Sequence, residues 1–276
     1  MMWINLLFTK HRFLWFCFIC ISLPPQFLSA QKNSTAKKYM LKADEFKRNA
    51  KPDSAVFYYK KAAAIFKENK KTKKLINAYN HTGIMLARQD KFEEGRMYLG
   101  MAELQGNTLK DTNDLLRAAT FIGLGVIYSS VGDFGGALAY HYRALAIRLL
   151  KSGKYNADVA TSYGNIGNVY FIKKEYDKSI EAHLIALDIR KKIFGEKSVE
   201  INQTYNNLGR VYKENKDYEN SLSYLQKLLV NKIDQVGPDH KDLVKVYNSI
   251  SDVHYLMGHK ELGDANKAKG EEILKK

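Results

Sequence analysis

Cysteine and proline are scarce in this chain, and each shortage limits how the chain can be stabilised. Among 276 residues there are two cysteines and four prolines. Both cysteines, Cys17 and Cys20, lie in an N-terminal apolar stretch, so disulfides cannot hold the rest of the chain together. Four prolines are too few for a proline-rich disordered chain or a polyproline helix. The fold must therefore depend on the packing of side chains.

The motifs of common enzyme classes are also missing. The sequence has no glycine-rich phosphate loop, no Ser/His/Asp order of a hydrolase and no paired carboxylates in a defined pocket. His141 and His183 lie 42 residues apart, but neither has a Cys, Asp or Glu companion at metal-ligand spacing. We expect both histidines to be packing residues. We also expect a protein that is not an enzyme, with no catalytic residues, no metal and no cofactor.

The N-terminus has the pattern of a secretory signal peptide. Lys10, His11 and Arg12 precede an apolar run over residues 13–23, and small residues follow at Ser29 and Ala30. This predicts a signal peptide over residues 1–30, cleaved after Ala30. The alternative is an uncleaved anchor, but the run is shorter than the roughly 20 residues of a spanning helix. We expect an exported protein, periplasmic or secreted from a bacterial envelope, with membrane association only if this segment is kept.

Charge is strongly biased towards lysine and arginine, giving a formal net charge of +15. Such a balance favours acidic partners or anionic surfaces. The lysines are scattered over helical positions and form no single tract, which is typical of a solvated basic surface. Because export would separate the protein from nucleic acid, we expect no nucleic-acid partner.

A step of 42 residues recurs along the chain. It is kept by a glycine series, by a tyrosine series and by a second glycine series: Gly83, Gly125, Gly167 and Gly209; Tyr128, Tyr170 and Tyr212; Gly153, Gly195 and Gly237. A fixed period of 20–50 residues indicates a repeat architecture.

Each period contains two helical patterns. In the unit from residue 161 to 200, Ile166, Val169 and Tyr170 share one helical face. A polar break follows at residues 173–175, and a second amphipathic stretch covers residues 176–193. Gly195 suits the end of that helix because glycine tolerates a left-handed backbone. The sequence therefore predicts an all-α fold of antiparallel helix pairs. We expect small residues such as Gly167 to mark the close approach of the two helices.

The pattern resembles the tetratricopeptide repeat (TPR) family. The matching positions of the fourth and third repeats are Gly167, Tyr170, Tyr176, Ser179, His183 and Ala186, and Gly125, Tyr128, Phe134, Ala137, His141 and Ala144. The long step and the loop over residues 236–243 are similar to the kinesin-light-chain type of repeat. The resemblance implies a right-handed α-solenoid (superhelix) of about five to six helix-turn-helix repeats over residues 31–276. The repeats fall near residues 37–70, 77–110, 119–152, 161–194 and 203–236, with a degenerate capping repeat over 245–276.

The resemblance also implies a binding surface, because first helices of such repeats line a concave face that binds an extended peptide. The residues carried over by position are Asn80, Asn206 and Asn248; Asn165 and Asn207; Asn168 and Arg210; and, one turn on, Lys213 and Tyr255. A carboxamide donates and accepts, so it can pair with a peptide of any sequence. Arg210 and Lys213 could hold an acidic side chain or a C-terminal carboxylate.

The asparagine series has a second interpretation, in which the amides bond to one another or to backbone groups between adjacent first helices. The third repeat also interrupts it, with Ile122 and Gly123 at the two asparagine positions. The expected function is a non-catalytic scaffold or adaptor that binds a peptide or protein partner in its concave groove outside the cytoplasm, with no small-molecule substrate. The alternatives are a sensory or regulatory ectodomain-like protein acting through a membrane signalling partner, and an envelope hydrolase.

Overall fold

The computed structural model describes residues 25–275, and within this range the regular structure is helical throughout. The α-helices are α1 (Pro25–Arg48), α2 (Pro52–Glu68), α3 (Thr72–Ala87), α4 (Phe92–Gly106), α5 (Leu115–Ser130), α6 (Phe134–Ser152), α7 (Ala157–Ile172), α8 (Tyr176–Phe194), α9 (Val199–Glu214), α10 (Tyr218–Val236), α11 (Val244–Leu256) and α12 (Lys260–Lys275). A short 3₁₀ helix, Lys241–Leu243, precedes α11. The predicted all-α class is confirmed.

The helices pack as consecutive pairs, which we number as six repeats from α1–α2 to α11–α12. The closest contacts lie within each pair, and the second helix of each pair also packs on the first helix of the next. Within residues 25–275, all the appreciable contacts between helices lie inside one repeat or between adjacent repeats. Each repeat therefore packs on its neighbours alone, which is the arrangement of a solenoid. The predicted α-solenoid is confirmed.

Most of the predicted signal segment lies outside the described residues, and residues 25–30 are helical and belong to α1. The first repeat begins well before residue 37, where the sequence pattern places it. Residues 31–38 are polar and have no apolar periodicity, but they still reach α2 through the hydrogen bonds of Lys32 with Glu68 and of Asn33 with Asn69. No helix within the described range is long and apolar enough to span a bilayer.

The glycine series of the first helices marks the close approach within each pair. A Cβ atom on Gly125 would lie 2.5 Å from Cε1 of His141, and one on Gly167 would lie 2.8 Å from Nε2 of His183. Real Cβ atoms do not come so near to other heavy atoms, so a larger residue would force the helices apart. The expectation that Gly167 lies at a close helix contact is confirmed.

A hydroxyl hydrogen bond joins the two helices at the same level. Ser179 Oγ donates to the carbonyl oxygen of Gly167 at 2.8 Å, and Ser221 Oγ donates to that of Gly209 at 2.7 Å. In the sixth repeat the roles are exchanged, because Ser251 lies on the first helix and donates to the carbonyl oxygen of Gly263 on the second. The small residues therefore also satisfy buried polar groups.

His141 and His183 are buried between helices, with 1% of each residue exposed. Burial, with Arg148 near one ring and Arg210 and Arg190 near the other, lowers the pKa of each imidazole to about 4. Neither ring nitrogen of His183 has a hydrogen-bond partner. Since the equivalent position holds leucine in the second and fifth repeats, the histidines occupy an apolar site.

Backbone geometry repeats with the sequence period. The turn inside each of repeats two to six has one residue with positive φ, between 58° and 86°: Asp90, Gly132, Lys174, Lys216 and Gly258. The second helices of repeats three to five end at Gly153, Gly195 and Gly237, where φ is 74°, 84° and 86°. The predicted role of Gly195 at the helix end is confirmed. The same backbone conformation therefore recurs at equivalent turns and helix ends in successive repeats.

Candidate functional site

A groove with a volume of about 740 Å³ lies between α9 and α11. Side chains of α9 form one wall, and the segment from the 3₁₀ helix into α11 forms the other. Leu225 and Leu228 of α10 form the floor. The groove therefore lies between the first helices of the fifth and sixth repeats.

The local sequence explains this groove. Asn202, Asn206, Arg210 and Lys213 lie three or four residues apart on α9, so they share one helical face. The first helices of the second and third repeats, α3 and α5, contact each other directly, whereas α9 and α11 make at most a few direct contacts. The polar face of α9 is therefore left without a covering helix.

Three of the predicted binding residues meet in this groove. Asn206 is exposed and makes no hydrogen bond within the described residues. Arg210 is exposed too, and its guanidinium lies 4.2 Å from the ring centroid of Phe171 on α7. Lys213, one turn along α9, has no ion-pair partner within residues 25–275. These side chains are available to a ligand.

Asn80 is placed differently, although it shares the repeat position of Asn206. It is 3% exposed, its amide nitrogen donates to the carbonyl oxygen of Leu116 at 3.0 Å, and its amide oxygen accepts from Thr120 at 2.8 Å. Its amide therefore joins α3 to α5. The amide of Asn80 is therefore engaged within the fold, as the second interpretation of the asparagine series expects.

Asn168 and Asn207 also bond within the fold. The amide nitrogen of Asn207 donates to the amide oxygen of Asn168 at 3.3 Å, and Gln203 donates to the amide oxygen of Asn207 at 2.9 Å. These hydrogen bonds join α7 to α9. Asn165 is partly buried on α7 and does not line the groove. The predicted asparagine series is therefore split between fold and groove.

Asn248 and Tyr255 face α12 and are not in the groove. A Cβ atom on Gly270 of α12 would lie 3.2 Å from Oδ1 of Asn248. The hydroxyl of Tyr255 donates to Asp264 of α12 at 2.6 Å, and this hydrogen bond raises the pKa of the phenol. Both side chains belong to the contact inside the sixth repeat.

Sequence reasoning missed the basic residues of the opposite wall and floor. Lys232 of α10, Lys241 and Lys245 line the groove, and Asp242 is the one acidic residue in its lining. Lys232 lies on the period of Arg148 and Arg190, so a register comparison of second helices would have found it. Lys241 and Lys245 carry no comparable signal.

The one hydroxyl side chain in the lining, Ser249, donates to the carbonyl oxygen of Lys245 at 2.9 Å. Across the described range, no cluster of three or more His, Cys, Asp or Glu side chains is placed to hold a metal ion. The chemistry on offer is the hydrogen bonding of amides and the positive charge of arginine and lysine. That chemistry suits binding.

Comparisons with known proteins agree with this architecture. Residues 74–149, 158–229 and 200–262 match the family model described as Tetratricopeptide repeat. A comparison with curated proteins found no matching sequence.

Three similar solved structures span most of this chain. BtubC (BKLC) from P. vanneervenii is 16% identical with a TM-score of 0.66, covering 89% of this chain and 90% of that one. A putative kinesin light chain of Podosopora anserina with nearly identical TPR-like repeats is 13% identical with a TM-score of 0.65, covering 74% and 96%. A tetratricopeptide repeat protein from Parabacteroides merdae is 17% identical with a TM-score of 0.55, covering 84% and 77%. At these identities, the likeness concerns the fold alone.

Proposed function

Because the chain belongs to the tetratricopeptide repeat family, we propose that it is a non-catalytic scaffold whose groove between α9 and α11 binds an extended segment of a partner protein. The observation that carries this proposal is the contrast between Asn80 and Asn206. The two occupy one repeat position, yet the amide of Asn80 is used inside the fold and that of Asn206 is free in an open groove.

The lining supports an extended peptide as the ligand. Asn206 can bond a peptide N–H and C=O together, while Arg210 and Lys213 supply donors to acidic groups. The apolar floor of Leu225 and Leu228 gives area for a side chain. Since each repeat is held by its neighbours, the groove is formed before the ligand arrives, and ordering costs fall mainly on the peptide.

Site-specific photo-cross-linking tests this assignment. A photoreactive amino acid replaces Asn206 in one variant and Asn248 in another, which is one period away and faces α12. Envelope extract is added, and we expect a covalent adduct at position 206 and none at 248. Arg210→Glu with Lys213→Glu should abolish the adduct while helical content stays unchanged. Adducts of equal yield at both positions, or adducts that survive the charge reversal, would refute the groove.

Export is part of the same proposal. It is supported by Lys10 and Arg12, by the apolar run over residues 13–23 and by the small residues before Gln31. Mass spectrometry of the protein purified from its native envelope should find Gln31 as the N-terminal residue. Recovery of a chain that still begins at Met1 would instead indicate a retained anchor.

A further inference from the structure

A cation at the end of the second helix links neighbouring repeats at two junctions. Arg148 of α6 donates to the carbonyl oxygen of Asp158 and to the hydroxyl of Ser162 on α7, both at 2.8 Å. One period later, Arg190 of α8 donates to the hydroxyl of Thr204 on α9. We call each of these contacts, Arg148–Ser162 and Arg190–Thr204, an inter-repeat link.

The hydroxyl partners of both links, Ser162 and Thr204, are fully buried, and the arginines occupy the space between repeats. Arg148 is 9% exposed, and burial lowers the pKa of both guanidinium groups. The junction between the second and third repeats is filled differently. Gly106 occupies the repeat position of Arg148, and the side chain of Arg117 lies against this glycine. An arginine therefore fills each of these three junctions.

The junction between the fifth and sixth repeats lacks such a link. One more period places Lys232 at the cation position and Val246 at the hydroxyl position. Valine offers no acceptor, and Lys232 makes no hydrogen bond or ion pair within the described range although it is partly buried. Both residues line the groove between α9 and α11. The groove therefore lies at a junction that has neither a link nor an arginine in the space between the repeats.

This unlinked junction concentrates positive charge. Lys232, Lys241 and Lys245 lie in one concave lining with Arg210 and Lys213, and Asp242 is the one carboxylate among them. A carboxylate oxygen of Asp242 lies 3.8 Å from Nδ1 of His240 in the preceding loop. Uncompensated charges of one sign in a cleft repel each other and attract an opposite charge.

We propose that the unlinked junction binds the carboxylates of an acidic peptide segment, with Lys232 taking the ligand's charge where other repeats use an arginine for an internal link. This inference rests on the proposed function and names the ligand class of that groove. The free amide of Asn206 lies beside the cations and can pair with a peptide N–H and C=O, which a lone inorganic anion lacks. A groove of about 740 Å³ holds several side chains.

Binding of defined peptides to the full chain tests the ligand class. The probes are a fluorescent, capped peptide of alternating glutamate and glycine, the same peptide with glutamine for glutamate, and inorganic phosphate as competitor. We expect the glutamate peptide to bind with an affinity that falls as salt rises, and the glutamine peptide to bind at least about tenfold more weakly. Equal binding of the two peptides would overturn the inference. So would displacement by phosphate at the concentration at which the peptide itself competes.

Two pairs of variants test the role of Lys232. Lys232→Met should weaken binding of the glutamate peptide by about tenfold or more, since one charged hydrogen bond is lost. Lys227→Met is the matched control, because Lys227 lies on the same helix over the ring of Tyr224 and outside the groove. An unchanged affinity in Lys232→Met, or an equal loss in the control, would remove Lys232 from the site.

The second pair restores the link. Lys232→Arg combined with Val246→Thr recreates the residues of the Arg190–Thr204 junction, and we expect a higher melting temperature and weaker binding of the glutamate peptide. Val246→Thr alone keeps the lysine and serves as the reference, and we expect it to bind the glutamate peptide more tightly than the double variant does. A double variant that binds as tightly as the parent would contradict the link argument. If the Asn206 cross-link persists while the glutamate peptide fails to bind, the proposed function stands and this inference falls.

Discussion

Replacing the two buried histidines by leucine is expected to protect the solenoid against mild acid. Burial holds the pKa of His141 and His183 at about 4, whereas an unfolded histidine has a pKa of about 6.5. Between these values the unfolded chain binds protons that the folded chain excludes. The free energy of unfolding therefore falls as the pH drops through this range, and the loss is complete below about pH 4.

The size of the effect follows from the gap between the two pKa values. At about pH 5 each histidine lowers the free energy of unfolding by about 2 kcal/mol, and at about pH 7.5 it has almost no effect. Together, His141 and His183 cost about 4 kcal/mol at the lower pH. Typical domains have only about 5–15 kcal/mol in total, so the difference is measurable.

Other repeats of the protein show that leucine fits the site of each buried histidine. Leu99 and Leu225 occupy the equivalent site in the second and fifth repeats, where they pack on Gly83 and Gly209. The double variant His141→Leu with His183→Leu should therefore fold without new strain. Urea unfolding followed by circular dichroism at about pH 7.5 and about pH 5 gives the four free energies required. We expect the variant to retain about 4 kcal/mol more than the parent at the lower pH.

Carboxylates also lose stabilising contacts in acid, but they cancel in this comparison. Hydrogen bonds from Lys151 and Lys173 lower the pKa of Asp111 and Glu175 in parent and variant alike. His240→Asn is a control for any surface histidine, because His240 is partly exposed in a loop. If parent and double variant lose the same free energy between the two pH values, the buried imidazoles are not the acid-sensitive groups, and the reasoning fails.

Four further substitutions test the packing and the turns by chemical denaturation. Gly167→Val should cost about 1–3 kcal/mol because its side chain meets His183, while Gly164→Ala, with open space around it, should be neutral or stabilising; equal effects would contradict the close approach. Gly195→Ala should cost about 1–3 kcal/mol, because φ is 84° with ψ at 166°, and a neutral result would show that this cap is not required. Lys216→Gly should stabilise by about 1 kcal/mol by relieving a φ of 62°, and a destabilised variant would refute the strain.

The sequence period predicted the elements that repeat with it. It predicted the helix pairs, the approach at Gly167 and the helix end at Gly195, because each depends on contacts inside one unit. The helical conformation of residues 31–36 was not predicted, since residues 31–38 carry no apolar pattern and are ordered by contacts such as Lys32 with Glu68.

The candidate site was predicted only in part, because it depends on contacts between units. Asn80, Asn206 and Asn248 share a repeat position, yet Asn80 meets α5, Asn206 meets solvent and Asn248 meets α12. What each asparagine does depends on its neighbour, and a single-repeat pattern does not contain that information. The roles of Lys232 and Val246 were not predicted for the same reason. They become visible only when their junction is compared with the two linked junctions.

The equivalence of the two inter-repeat links makes the protein's length adjustable in whole periods. Excision of residues 157–198 would join the loop after α6 directly to α9 and place Arg148 opposite Thr204, whose hydroxyl can accept as Ser162 does. The new junction would then pair arginine with threonine, as the Arg190–Thr204 link already does. Gene rearrangements that add or remove whole units would therefore keep the link between the repeats that remain, whereas an insertion that is not a whole number of units would shift the register of the following helices.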